Sequence, residues 1–242
     1  YEISPRDWSS DVCSSDLINS VDTQGFRAGI KAWLSSTTTL TGQLFMQDLD
    51  AADQPISRPF NATVGTTPFP AVGWLKNNAR TLQPRTDHTL MAGVTLQHSF
   101  EKADLTINQS YFLRDNTDLA DTSPNYAFFT FLQSIGEFPP VPLFRTGVFR
   151  SQQETEMSTT EARVATRVDG PVNGVFGLLY SNRTIDLDNS FLETNPADGE
   201  INTSIPIWYR RTANFELKQL AAYGELTWDL NDRLALLGGA RV

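Results

Sequence analysis

From residue 23 onward, polar and apolar residues alternate with a period of two along most of the chain, and this alternation limits the possible folds more than any other feature. Successive side chains of a strand point to opposite faces, so a period of two means strands with one apolar and one polar side. In residues 23–34, Phe26, Ala28, Ile30, Ala32 and Leu34 share a face, and Arg27 and Lys31 lie opposite. Residues 38–48, 89–97 and 103–115 repeat the pattern with Leu40–Met46, Leu90–Leu96 and Leu105–Leu113. Residues 160–168 set Glu161, Arg163 and Arg167 against Ala162, Val164 and Val168. In residues 219–230, Leu220, Ala222, Leu226, Trp228 and Leu230 oppose Gln219, Tyr223, Glu225 and Asp229. Residues 172–183 are apolar on both faces, and 232–242 continue as a further strand.

The connections add a second constraint. Residues 35–37, 101–102, 169–171 and 231 are short enough to be hairpin turns, whereas roughly 50–87, 116–157 and 188–213 are long. Short and long connections alternate strictly. Long structureless loops are uncommon in compact domains, but membrane β-barrels carry short turns at one end and long loops at the other. A soluble β-sandwich also alternates apolar and polar residues and is the competing fold. The polar faces, with Arg, Glu, Lys and Gln in series, suit a wetted lumen. Trp33 and Trp228, near the short turns, are expected in an interfacial aromatic girdle. The fold expected is therefore all-β: an antiparallel up-and-down meander of about eight strands, a partial transmembrane β-barrel that is not closed. The net charge of −9 argues against a nucleic-acid partner. No apolar run is long enough for a transmembrane helix, and no signal peptide is visible in the first residues.

Two segments carry a family resemblance. In residues 221–242, Tyr223-Gly224-Glu225, the turn Asp229-Leu230-Asn231-Asp232-Arg233 and Gly239-Ala240-Arg241 resemble a mid-barrel hairpin of TonB-dependent outer-membrane receptors. Residues 159–182 resemble the hairpin upstream of it, through Glu161, Arg163, Gly170, Pro171, Asn173 and Gly177. Val242 stands where an aromatic residue is more usual. The resemblance implies a large plugged barrel in the bacterial outer membrane that takes up a scarce solute such as a ferric siderophore. The partners it implies are that extracellular solute, outer-membrane lipid, and the TonB complex acting through a plug region. No plug, TonB box or closing strand is found in the sequence, so residues 20–242 are expected to be a central slice of such a barrel. A passive porin-like channel and a soluble β-sandwich binding module are the alternatives.

Residues 7–17, DWSSDVCSSDL, hold the only cysteine, Cys13, between two Ser-Ser-Asp triplets. The stretch resembles translated sequencing-adapter sequence, so residues 1–19 are expected to be a non-native or disordered lead. Cys13 lacks the electropositive surroundings that make a thiol reactive.

No catalytic constellation, metal-ligand spacing or cofactor motif occurs, and no enzyme activity is expected. The two histidines, His88 and His98, lie roughly 33 Å apart along one strand, too far to share a site. Lumen-facing Glu161, Arg163, Arg167, Glu225 and Arg241 are expected either to pair across strands or to contact a plug or solute. The candidate ligand site is the aromatic loop 126–144, with Phe128, Phe129, Phe131, Phe138 and Phe144, followed by Arg145 and Arg150. Exposed aromatics on a loop suggest a partner, and arginine beside them suits an anionic group. The other reading is that the rings pack the loop onto its neighbours. Residues 127–135 are expected to form a short helix ended by Pro139, Pro140 and Pro142. The loop 57–75, with Phe60, Phe69 and Trp74, is a second candidate.

Overall fold

The computed structural model describes residues 20–54, 62–64, 67–69, 79–123, 132–136, 146–195, 197–207 and 209–242. Its strands are β1 (Val21–Trp33), β2 (Thr38–Ala51), β3 (Ala62–Val64), β4 (Thr67–Phe69), β5 (Arg85–Ser99), β6 (Ala103–Asp121), β7 (Gly147–Thr166), β8 (Val172–Glu193), β9 (Tyr209–Asn231) and β10 (Leu234–Arg241). Eight of them form one antiparallel sheet in the order β1-β2-β5-β6-β7-β8-β9-β10, and β3 and β4 pair as a separate two-stranded sheet. The strands follow sequence order and β1 does not meet β10, so the meander is open, as the alternation predicts.

The sheet is a single layer. Its buried apolar residues among those described are only Ala79, Val148, Leu192 and Ala221, whereas Ile30, Leu178 and Leu220 are 72%, 60% and 78% exposed. A sandwich would bury such residues between two sheets. In lipid they form the contact surface instead.

Register locates the membrane. Phe26, Met46, Leu90 and Leu113 occupy one cross-strand row and are the last apolar residues on the outward face before Asp48, His88 and Asp115. On β8 and β9 the apolar band ends at the paired Tyr180 and Leu220, whose row meets β6 at Gln109, four residues nearer the short turns. The short turns shift in the same sense. Along the row Thr38–His98–Leu105–Val164–Phe176–Gly224, Ser36 lies two residues past Thr38 and Glu101 three past His98. Asp169 lies five past Val164 and Asp232 eight past Gly224. A stagger of about one residue per strand corresponds to a tilt of about 35°, at the low edge of the barrel range. On β9 the outward band from Leu220 to Trp228 then spans about 22 Å along the membrane normal, close to an outer-membrane apolar belt.

Three expectations need correction. The long loops are shorter than expected, because β6, β7, β8 and β9 run to 19, 20, 22 and 23 residues. Beyond the apolar band both faces become polar, as in Ser151–Thr160, so alternation fades while backbone pairing continues. Trp33 is not in a lipid-facing girdle. Its register places it on the face of Arg27 and Lys31, with the Lys31 ammonium 5.6 Å from its ring. Trp228 does lie outward, 50% exposed. The β3–β4 hairpin inside the first long loop was not foreseen.

Candidate functional site

The two histidines behave as expected. His98 Nδ1 lies 2.7 Å from Thr38 Oγ1, and His88 Nδ1 lies 2.8 Å from Asp48 at the other end of β5. Asp48 raises the affinity of His88 for a proton above the usual imidazole range, chiefly through this hydrogen bond. No grouping of His, Cys, Asp or Glu among the described residues suits a metal ion. The open depressions of 420 and 410 Å³ lie along β2, β5, β6, β7, β8 and β9, around the outward-facing Asp115, Glu154 and Asp186.

The inward face is a polar wall with an ordered sequence of layers. Nearest the short turns, Arg167 pairs with Asp104 at 3.0 Å, and the Tyr223 hydroxyl donates to Glu161. Of the five charged residues named for this wall, Arg167 makes a cross-strand ion pair and Glu161 accepts from a tyrosine. Tyr223 stands over the paired Gly177, and on the outward face Phe176 stands over the paired Gly224. Higher up, Asp87 accepts two hydrogen bonds from Arg114, at 2.9 and 2.5 Å, and lies 3.2 Å from Arg85, which reaches Asp118 at 3.3 Å. The Arg114 hydrogen bond holds the Asp87 carboxyl below the ordinary carboxylate range.

At the loop end, the segments before β5, after β6, before β7 and after β8 are tied together by buried polar groups. Gln83 donates to Asp53 at 3.3 Å and accepts from the Asp121 amide at 2.9 Å. Asp121 accepts from the Ser123 amide and hydroxyl at 2.9 and 2.6 Å and from the Arg80 amide at 3.1 Å. Thr194 donates to Thr146 at 2.8 Å, and Gly199, at φ 75°, approaches the Leu82 amide. Gln83, Asp121, Ser123, Thr146 and Thr194 thereby meet the partners that burial demands.

Just inside this rim, Phe149, Phe191 and Tyr209 form a ladder across β7, β8 and β9. Their ring centroids are 5.1 and 5.5 Å apart, within the favourable range for aromatic pairs. The ladder lies on the inward face and begins three residues after the Thr146 that closes the aromatic loop. Phe128, Phe129, Phe131, Phe138, Phe144 and Arg145 lie outside the described residues, as do Phe60 and Trp74. Residues 132–134 are helical and end at Gly136, φ 79°, within the helix expected there. Arg150, the remaining predicted residue, occupies the face opposite Phe149. There the hydrogen bonds of Arg210, and more remotely the charge of Arg150, hold the Asp188 carboxyl below its ordinary range.

Phe191 and Tyr209 were missed because each looks unremarkable in its own segment. The signal available was register. Pairing set at the Asp169–Pro171 turn, carried up the hairpin, aligns Phe149 with Phe191.

An in-order tilted meander, apolar outside and polar inside with loops knitted at one end, defines a section of a membrane-spanning β-barrel. The family model described as TonB dependent receptor-like, beta-barrel matches residues 26–242, and the chain belongs to that family. Its members are outer-membrane proteins that act as transporters, not enzymes. Among solved structures, the ferric yersiniabactin uptake receptor FyuA from Yersinia pestis matches at 16% identity and TM-score 0.59, over 90% of this chain and 29% of that one. The RagAB peptide importer in its "closed-closed" state matches at 8% identity and TM-score 0.53, over 91% of this chain and 27% of that one. Both likenesses concern the fold, and this chain spans less than a third of either. No curated protein matches the chain.

Proposed function

We propose that residues 20–242 form part of the wall of a receptor that takes up a scarce extracellular solute, a ferric siderophore or similar chelate, across the outer membrane with energy delivered by TonB. Family membership over residues 26–242 carries the reading. The likeness to a ferric yersiniabactin uptake receptor supports the solute class. The loop 126–144 is proposed to contact the solute through Phe128, Phe129, Phe131, Phe138 and Phe144, with Arg145 at its end. In sequence it precedes β7, which carries Phe149 of the inward-facing ladder. Arg150 is set apart from this group by its outward register and its place beside Asp188.

The test is uptake of radiolabelled ferric chelates by cells carrying the receptor, with TonB present or deleted. TonB-dependent accumulation of a chelate is expected. Accumulation independent of TonB would support a passive channel and overturn the reading. In assembled receptor, replacing Phe128, Phe129 and Phe131 with alanine is expected to weaken binding by about 1 kcal/mol or more per contacting ring. Unchanged binding would remove the loop from the site.

A further inference from the structure

Gln109 on β6, with Ser158 and Thr160 on β7, forms a polar island on the outward face. Both strands are paired along both edges at this height, so the island is framed by sheet on either side. Its neighbours on the same face are apolar: Val94 on β5, Tyr180 on β8, Ile107 and Ala162 toward the short turns, and Leu113 toward the loops. Allowing for the tilt, Ser158 lies about 3 Å and Gln109 about 11 Å below the height of Leu113, inside the apolar band.

The hydrogen bonds of the island leave it half satisfied. The Gln109 amide nitrogen donates to Ser158 Oγ at 3.0 Å and to the Ser110 carbonyl oxygen at 3.2 Å, and the Thr160 hydroxyl donates to Gln109 Oε1. Both amide protons and the Thr160 proton are thereby used. The Ser158 proton has no acceptor among the described residues, and Gln109 Oε1 and Thr160 Oγ1 each keep an open lone pair. Gln109 and Thr160 are exposed on the face that meets lipid. No water stands in for a partner there, and an unmatched polar group is costly.

We infer that Gln109, Ser158 and Thr160 hold a lipid of the outer leaflet whose chain is joined through an amide and carries a hydroxyl beside it, under an uncharged sugar head, whatever solute the receptor carries. An amide and a hydroxyl each donate and accept, which matches one free donor and two free acceptors. An ester linkage only accepts, so it leaves Gln109 Oε1 and Thr160 Oγ1 without a donor. The depth agrees: Ser158, just beneath the band edge, meets the linkage, and Thr160 and Gln109 meet the hydroxyl further down the chain. The head is set by the residues above. Asp115, Glu154 and Glu156 face outward there, and no outward position on β6, β7 or β8 between the island and Arg150 is basic. A phosphate head on this spot meets only like charge, whereas a neutral sugar can accept and donate hydrogen bonds to the carboxylates.

The test uses the assembled receptor in detergent micelles and native mass spectrometry, which counts bound lipid and gives an affinity for each of three probes. Galactosylceramide has the amide, the hydroxyl and a neutral sugar. Monogalactosyl diacylglycerol keeps the sugar on ester linkages, and ceramide 1-phosphate keeps the linkage under a charged head. Galactosylceramide is expected to bind at least about threefold more tightly than either control. Gln109→Leu with Ser158→Ala should bring galactosylceramide down to the level of the diester. Asp115→Asn with Glu154→Gln should bring ceramide 1-phosphate up toward galactosylceramide. Gln97→Leu, on the inward face, should change neither ratio. Equal affinity for galactosylceramide and the diester, or a preference that survives Gln109→Leu with Ser158→Ala, overturns the site. Ceramide 1-phosphate binding as tightly as galactosylceramide, or more so, overturns the uncharged head. A doubled protein mass that the same Gln109 and Ser158 variant abolishes would give the island to a second copy of the chain and overturn the lipid. Heat-modifiable gel mobility verifies that each variant is assembled.

Discussion

Replacing Gly177 with alanine probes how the wall is held together at membrane height. A Cβ at this position would sit 2.2 Å from Tyr223 Cζ, 2.4 Å from its hydroxyl oxygen and 2.5 Å from Cε1. The ring cannot stay where it is, because atoms at that distance overlap. Forcing it aside is an overpacking change, which costs about 1–3 kcal/mol. The displaced hydroxyl also leaves Glu161, and a hydrogen bond to a charged group is worth about 1.5–3 kcal/mol. Glu161 faces the wet lumen, so rehydration offsets much of that second loss, and a net destabilisation of about 2 kcal/mol is expected. Gly93→Ala is the control, since its Cβ would meet only Gln109 backbone oxygen at an ordinary 3.7 Å. Urea unfolding of the receptor in phospholipid vesicles, followed by tryptophan fluorescence, gives both values. In a Tyr223→Ala background, Gly177→Ala should become nearly neutral, because the obstructing ring is gone. Equal stability of Gly177→Ala and Gly93→Ala, or an undiminished loss in the Tyr223→Ala background, refutes the argument.

Asp87 is held below the ordinary carboxylate range, so its pairing with Arg114 stabilises the wall above the unfolded-state pKa and the gain is lost as pH falls through the lower folded value. Arg114→Gln should therefore reduce stability at neutral pH and narrow the difference from wild type in acid, as followed by urea midpoints from pH 7 to pH 2. His88 has the opposite sign: its pairing with Asp48 is present below the unfolded pKa and lost as pH rises through the raised folded value. Asp48→Asn should move the His88 imidazole titration downward in NMR spectra, and an unmoved midpoint contradicts the contact. Residues 20–242 expressed alone should aggregate or need detergent, because β1 and β10 each present an unpaired backbone edge. A monodisperse monomer in plain buffer, seen by light scattering, would count against the membrane assignment.

The part of the fold that meets lipid was legible because lipid and lumen impose opposite chemistry on alternate residues. Leu220, Ala222, Leu226 and Trp228 on one side, and Gln219, Tyr223 and Glu225 on the other, state the strand and its orientation outright. Above the lipid no such contrast operates. Asp186 and Asp188 face outward on β8 while Ile185 and Leu187 face inward, so the sign of the pattern reverses and a strand of 22 residues reads as a shorter one followed by loop. The candidate site was legible only as composition. A cluster of phenylalanines announced the loop, but Phe149, Phe191 and Tyr209 become one feature only when three strands are in register. Arg150 illustrates the same limit, since adjacent residues of a strand face opposite ways and nearness in sequence to Phe149 places it on the far side.

The stagger of about one residue per strand also fixes a circumference. Continued around the 22 strands that the resemblance implies, at about 4.8 Å between strands and about 35° of tilt, it encloses a cylinder about 20 Å in radius. The eight strands seen here make up little more than a third of that perimeter. An aperture so wide cannot sieve small chelates by size, and any solute fitting between the side chains would leak through if nothing filled it. A wall of this circumference neither sieves such solutes by size nor closes its own bore.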